Sequence, residues 1–443
     1  MNSKQRSATL TRRGFLQAST AGLAAGVVAS SSRHARGAIS ELAKVDVTLV
    51  DKEAVGYATF QNHNQKVLQN AGGIFMTHIR SRNEAYTAQQ WRLSHSTDGG
   101  RTFSTVYEAT HATNPPAIET DAEANVYLVR PDFADGYSYL YRFAAPDYGQ
   151  PEVIAKIPGG ACGKFCLLLD ADREQFYFFS NNNTFHVLGL DGQIKHSLTL
   201  TRGGQFGGIQ YPHLYLAPDG MLHAPITTEK TGRYCYRSVQ HLQSPDGGQT
   251  WQRMDSTTLA PAVVCDDSGP TQRISLDDEF EAHSWLCSCV ARGGKVHFVY
   301  STLDSHSKDF KSPLIRMNYV RCDAATGEKD FHRQELNGQT ITLDKWNGFL
   351  ATRRRQPEAP LYAMMADDER LACLVSHDNG TSWQDHVLGE TEYTDAYSIG
   401  GSREITDDGY LIGSFTDRVQ SSLDPEGVCP VYFFRVKAAP VGE

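Results

Sequence analysis

Ser96-Thr97-Asp98-Gly99-Gly100-Arg101-Thr102-Phe103, Ser244-Pro245-Asp246-Gly247-Gly248-Gln249-Thr250-Trp251 and Ser376-His377-Asp378-Asn379-Gly380-Thr381-Ser382-Trp383 are one pattern written three times, S-x-D-x-G-x-[ST]-aromatic. The pattern describes a tight hairpin. The aspartate carboxylate and the Ser or Thr hydroxyl satisfy the turn's own amides, and glycine supplies the positive φ. The aromatic that follows pins the returning strand into an apolar layer. Around these turns lie short runs such as Val126–Val129, Gln175–Phe179 and Val296–Tyr300, β-branched and aromatic and bounded by turn residues.

A larger unit contains the turn. A short apolar strand, an Asp/Gly turn and a second apolar strand can be read seven times between Gly72-Gly73 and Asp407-Asp408-Gly409, and each unit continues into a second hairpin. The first four units are spaced at roughly 50 residues, the length of one propeller blade. The three turns resemble the Asp box, or BNR repeat, of the sialidase superfamily of β-propellers. That resemblance implies an all-β β-propeller of four-stranded blades, seven blades by unit count with six as the runner-up. The final unit supplies three strands, Ser402–Ile405, Tyr410–Phe415 and Val431–Val436, so the run Val45–Val50 is expected to close the ring as its outer strand. Residues 39–443 then form a single propeller domain.

Residues 1–38 read as an export leader. Thr11-Arg12-Arg13-Gly14-Phe15-Leu16 matches the twin-arginine signal and is followed by a short run rich in Ala, Gly and Ser and by small residues around 35–38. The expected location is periplasmic or secreted, with no stable membrane insertion, since no other stretch is long and apolar enough to span a bilayer. The formal charge of −9 becomes −15 once the leader's six basic residues are gone. So acidic a chain excludes nucleic acid as a general partner. The nine cysteines are odd in number and lack Cys-x2-Cys zinc spacing, which points to buried thiols and to no metal. No cofactor motif is present.

In a propeller of this type the repeated turns lie at one end of the channel, and the opposite mouth is built from the starts of innermost strands and the ends of second strands. Those positions give His63 and Asn64 with Arg80; Asn114 with Arg130 and Asp132; Lys164 with Asn181; Tyr211 and His213 with Glu229; His283 with Asp304 and His306; and Arg403 with Asp417 and Arg418. Arginine forks suit a carboxylate or sulfate, and carboxylates and tyrosine can move protons. The catalytic candidates are Tyr211, Glu229 and Asp132. Arg80, Arg130 and Arg418 are candidates for holding an anion, with His63, Asn114, His213, His283 and Arg403 as further ligand contacts. Arg353-Arg354-Arg355 is the densest charge run; along a strand its middle member faces away from its neighbours, so a solvated or interblade role is expected.

Tyr211-Pro212-His213 at the opening of an innermost strand is similar to a stretch of the seven-bladed ulvan-lyase-type propellers. There the tyrosine acts as acid or base and an arginine on the next strand neutralises the uronate. This chain departs from that pattern. The arginine position reads Thr227, and the family's His-Asn-x-Pro-Ala-Ile stretch reads Thr113-Asn114-Pro115-Pro116-Ala117-Ile118. It also lacks the Phe-Arg-Ile-Pro stretch of true sialidases. The function expected is therefore an exported, sialidase-like protein acting on acidic or hydroxyl-rich carbohydrate, with hydrolysis first, a non-catalytic glycan- or protein-binding propeller as the alternative, and uronate elimination third.

Overall fold

The computed structural model describes residues 44–81, 89–160, 162–229, 236–276, 283–303, 315–333, 348–356, 358–367, 369–419 and 428–439. The expected leader over residues 1–38, and the site candidates Asp304 and His306, lie outside them. Every regular element among the described residues is a β-strand. Six antiparallel sheets have four strands each. In five of them sheet order follows chain order, as in Val67–Asn70, Gly73–Ser81, Gln89–Ser96 and Ser104–Ala112. The sixth joins Ala396–Gly401, Tyr410–Asp417 and Cys429–Lys437 to the N-terminal strand Val45–Ala54, which pairs with the last of them from Val45 opposite Val436 to Ala54 opposite Cys429. Residues 209–273 make a further sheet of seven strands, the long pair Leu222–Glu229 and Tyr236–Ser244 with two-residue strands around it. Consecutive sheets pack innermost strand to innermost strand, and the last packs against the first. This is a propeller arrangement.

The burial pattern follows from that geometry. Each sheet is covered on both faces by its neighbours, so second strands such as Val126–Asp132 are buried at every position instead of alternating. The outer strand Ser104–Ala112, by contrast, is largely solvated. The layers between sheets are apolar and aromatic. Tyr127 packs on Phe176 of the next sheet at 4.7 Å between ring centres. The eight described cysteines sit in these layers as free thiols.

The three repeated turns share one hydrogen-bond scheme. Asp246 accepts from Gln249 N and Thr250 N at 3.0 and 2.8 Å and from the Ser244 and Thr250 hydroxyls, while Ser244 Oγ accepts from Gly248 N at 2.7 Å. Asp98 and Asp378 repeat the scheme with Ser96 and Thr102, and with Ser376 and Ser382. The turns also touch the neighbouring sheet. A Cβ on Gly100, Gly248 or Gly380 would lie within 2.4 Å of Phe433, Phe185 or Tyr319 respectively, and all three glycines have φ between +84° and +94°. The pattern's glycine thus lets the turn's backbone rest on an aromatic ring of the preceding sheet.

Residues 55–66 fill the middle of the ring. This stretch links Val45–Ala54 to Val67–Asn70, carries Thr59, Gln61, His63, Asn64, Gln65 and Lys66, and buries all six. Its partners lie on sheets all around the channel. The Thr59 backbone carbonyl accepts from Ser398 Oγ at 3.0 Å, Gln61 Nε2 donates to Gly163 O at 2.8 Å, Asn62 Nδ2 to Gly348 O at 3.1 Å and Gln65 Nε2 to Ile118 O at 3.1 Å. His213 Nδ1 meets His63 O at 2.9 Å. A single 12-residue stretch can bond to the inner edges of five sheets only from the axis. Backbone amides and carbonyls at the inner strand ends need partners away from water, and this polar segment supplies them. Gly400 permits the approach, because a Cβ there would sit 2.9 Å from Asn62 O.

One strand assignment requires correction. The innermost strand of the last sheet is Ala396–Gly401, not Ser402–Ile405. Arg403 therefore follows the strand's end and belongs to the repeated-turn end of the channel. Arg353–Arg355 is a turn after Gly348–Ala351, so strand alternation does not govern its side chains.

Candidate functional site

Tyr211 follows the two-residue strand Ile209–Gln210 at the inner edge of the 209–273 sheet, not at a strand start, with φ +43°. Its ring lines a narrow crevice with Phe60, Gln61, Asn62, Trp285, Leu286, Tyr397 and Ser398, with about 10 Å3 of free space, room for one water or one ligand oxygen. Gln61 and Ser398 also have positive φ, at +65° and +54°. Three L-residues held in this region around one crevice mark a place where the surroundings dictate the backbone.

Around the crevice the groups are these. Tyr211 OH lies 3.1 Å from Tyr236 OH. Lys164 Nζ stands 5.5 Å from the centre of the Tyr211 ring and 4.9 Å from that of Phe60. Burial pulls the Lys164 ammonium down to about 8, with Glu229 opposing the shift as a nearby negative charge. Glu229 itself accepts from Gln210 Nε2 at 2.6 Å. His283 stacks on Trp285 at 5.3 Å and its Nδ1 accepts from Tyr236 N.

Lys164 is held from several sides. Gly163 O accepts from both Gln61 Nε2 and Asn114 Nδ2, Asn181 N donates to Lys164 O at 2.9 Å, and Lys164 N donates to Asn181 Oδ1 at 3.1 Å. Asn114 thus fixes the lysine's backbone. Thr113 and Thr227 act as interstrand ties: Thr113 Oγ1 donates to Cys162 O at 2.9 Å, and Thr227 Oγ1 accepts from Leu286 N at 2.9 Å.

The remaining sequence candidates are distributed differently. Each arginine of the expected trio is engaged by its own carboxylate: Arg80 by Asp51 and Glu53, Arg130 by Asp132, and Arg418 by Asp395, with Arg418 also over the Tyr397 ring at 4.3 Å. Arg80 ties the Val45–Ala54 strand to the first sheet. Asp132, salt-bridged to Arg130 at 2.8 Å, also accepts from Ala134 N. His63 and His213 are buried edge to face at 6.3 Å. Burial holds both neutral, His63 well below the ordinary imidazole range and His213 near 3. They belong to the axial packing.

Arg403 occupies a second cavity of about 460 Å3, at the repeated-turn end, with Gln65, Asn70, Glu119, Arg354 and Glu404 in its walls. Its guanidinium pairs with Glu119 and donates to Leu167 O at 2.7 Å. Phe60, Tyr236 and Trp285 are absent from the list that strand-end reasoning yields. Tyr236 was within reach of it, since it pairs across the sheet with Glu229 and therefore shares its end.

Among the described residues no helix is long and apolar enough to cross a membrane. No protein-family model matches the sequence, and no curated protein matches it. Solved structures do share the fold. An ulvan lyase of a new polysaccharide lyase family, bound to -[GlcA(1-4)Rha3S]-, superposes with a TM-score of 0.61 at 11% identity over 88% of this chain and 95% of its own. The polysaccharide lyase Uly1 gives 0.56 at 11% identity over 88% and 99%. A protein of unknown function from Dyadobacter fermentans gives 0.52 at 11% identity over 89% and 98%.

Proposed function

We propose that the chain is an exported, carbohydrate-active propeller whose Tyr211 crevice acts on an acidic glycan, and that the reaction is elimination at a uronate. The observation that carries this is the placement of Lys164 beside Tyr211. A cation next to a phenol favours the phenolate, and the same ammonium can receive a carboxylate. In β-elimination the Lys164 ammonium pairs with the uronate carboxylate, which acidifies the C5 proton beside it. The Tyr211 phenolate takes that proton, the C4–O bond breaks, and C4=C5 forms. The proton then returns to the leaving oxygen through the hydrogen-bonded Tyr211–Tyr236 pair.

The sequence alone puts elimination last, because Thr113 and Thr227 stand where a histidine and a neutralising arginine are expected. Lys164 offers the missing charge from the neighbouring sheet. The ulvan lyase of this fold was solved bound to -[GlcA(1-4)Rha3S]-, which supports this order. Hydrolysis is the second reading, favoured by Glu229 at the end of the strand beside Tyr211. Counting the 209–273 sheet as a blade gives seven, the three turns read as Asp boxes, and the Val45–Ala54 strand closes the ring.

The test is incubation of the mature protein with uronate polysaccharides while following the ultraviolet absorbance of a 4,5-unsaturated uronate. A sustained rise that Tyr211→Phe abolishes supports elimination; new reducing ends without that absorbance would establish hydrolysis instead. Export is tested by replacing Arg12 and Arg13 with lysine, which should retain the precursor inside the cell.

A further inference from the structure

The axial segment lies between the two ends of the channel. Gln61 borders the Tyr211 crevice, and Gln65, four residues on, lines the 460 Å3 cavity at the opposite end. That volume falls within the range of small-ligand sites, about 300–1,000 Å3, whereas the crevice has room for one oxygen.

The walls of the cavity combine two ion pairs. Arg403 is paired with Glu119, both side chains 10% exposed. Arg354 pairs with Glu404 at 3.2 Å across the rim, where the Glu404 side chain is 44% exposed. Among the described residues Arg403 Nε is buried with no hydrogen-bond partner. Leu68, Leu168 and Ile405 supply apolar wall between the charged groups. Two guanidinium groups face three carboxylates, Asp407 being the third, so a strongly anionic ligand gains nothing from the net field. A hydroxyl group does gain, since it accepts from a guanidinium N–H and donates to a carboxylate oxygen at once. Apolar patches beside such pairs suit the C–H face of a sugar ring.

We propose that this cavity is a second binding site, for a neutral, hydroxyl-rich sugar unit, separate from the Tyr211 crevice. It places a neutral-sugar subsite at the end of the channel where the repeated turns lie. It does not depend on the reaction at Tyr211.

The experiment is calorimetric and saturation-transfer titration of the full mature chain with D-xylose, L-rhamnose, D-glucose and D-glucuronate. At least one neutral sugar should bind, and it should bind more tightly than glucuronate when both are compared in a Lys164→Met background, which removes the cation of the Tyr211 crevice. Ala71→Trp, which projects an indole into the cavity from an exposed wall position, should weaken binding at least tenfold. Glu404→Gln, on the solvated rim, should weaken it several-fold with the fold unperturbed by circular dichroism, and Tyr211→Phe should leave it unchanged. The proposal is overturned if none of the neutral sugars binds, if in the Lys164→Met background glucuronate binds as tightly as the best neutral sugar, or if binding survives both Glu404→Gln and Ala71→Trp.

Discussion

Gly248→Ala isolates what the repeated turn contributes to packing between sheets. Gly248 has φ +94°, and an added Cβ would stand 2.4 Å from Phe185 Cε1 and 2.8 Å from Cζ. Phe185 cannot swing away freely: it is fully buried, edge to face with Trp251 at 5.1 Å and stacked on Tyr177 at 5.9 Å. Two costs add. Left-handed backbone costs an L-residue about 1–2 kcal/mol, and overpacking a filled core costs about 1–3 kcal/mol, giving about 2–5 kcal/mol in all. Gly136→Ala is the control, because Gly136 has φ +77° with nothing within 4 Å of its added Cβ, so only the backbone cost applies. Urea unfolding monitored by tryptophan fluorescence compares the two, with Trp251 as a reporter at the contact. The Gly248 variant should lose about 1–3 kcal/mol more than the Gly136 variant, and adding Phe185→Leu should recover part of the excess. Equal losses in the two alanine variants would refute the idea that this glycine serves the neighbouring ring.

Ser244→Ala removes the hydroxyl that accepts from the buried Gly248 N–H, and a cost of about 1–3 kcal/mol is expected, read from the same urea transition. Binding of a uronate oligosaccharide should be steady up to neutral pH and fall as pH rises through about 8, where Lys164 loses its proton; calorimetry should show this fall postponed in Lys164→Arg, and weak, pH-independent binding in Lys164→Met. Lys66 is buried with only the carbonyls of Gln61 and Asn64 as acceptors, and its pKa falls to about 7. The unfolded chain keeps that proton to about 10.4, so it binds more protons between these values and stability rises with pH across the window. Buried thiols held above their ordinary range pull the other way as pH rises, so the signed change in urea midpoint from pH 7 to 9.5 should be less positive, or more negative, in Lys66→Met than in the wild type, and an unchanged signed change would argue against a buried, depressed ammonium.

Local chemistry carried the fold reading. A turn whose aspartate, hydroxyl and glycine satisfy one another is legible in eight residues, because all its partners lie within those residues. The axial segment is a different matter. Residues 55–66 show no apolar alternation and a polar composition, features of an exposed loop, yet they are buried because sheets distant in sequence surround them. Arg403 was misplaced for a related reason. Ser402–Ile405 reads as a strand, but the chain pairs one stretch earlier, at Ala396–Gly401, and the arginine moves to the other end of the channel. Tyr211 reads as the start of an inner strand, but it lies in the bend between Ile209–Gln210 and Tyr215–Leu216. Lys164 was recognisable as a mouth residue but not as the neighbour of Tyr211, since the contact joins two sheets and follows no local spacing.

The sealed axis governs how a polymer can approach. With residues 55–66 across the channel, a polysaccharide cannot thread through the ring and leave at the far side. If the proposed reaction at Tyr211 holds, a substrate chain lies across that face and releases both fragments from it, so attack in mid-chain meets no topological barrier and sliding along a tunnel is not available between successive cuts.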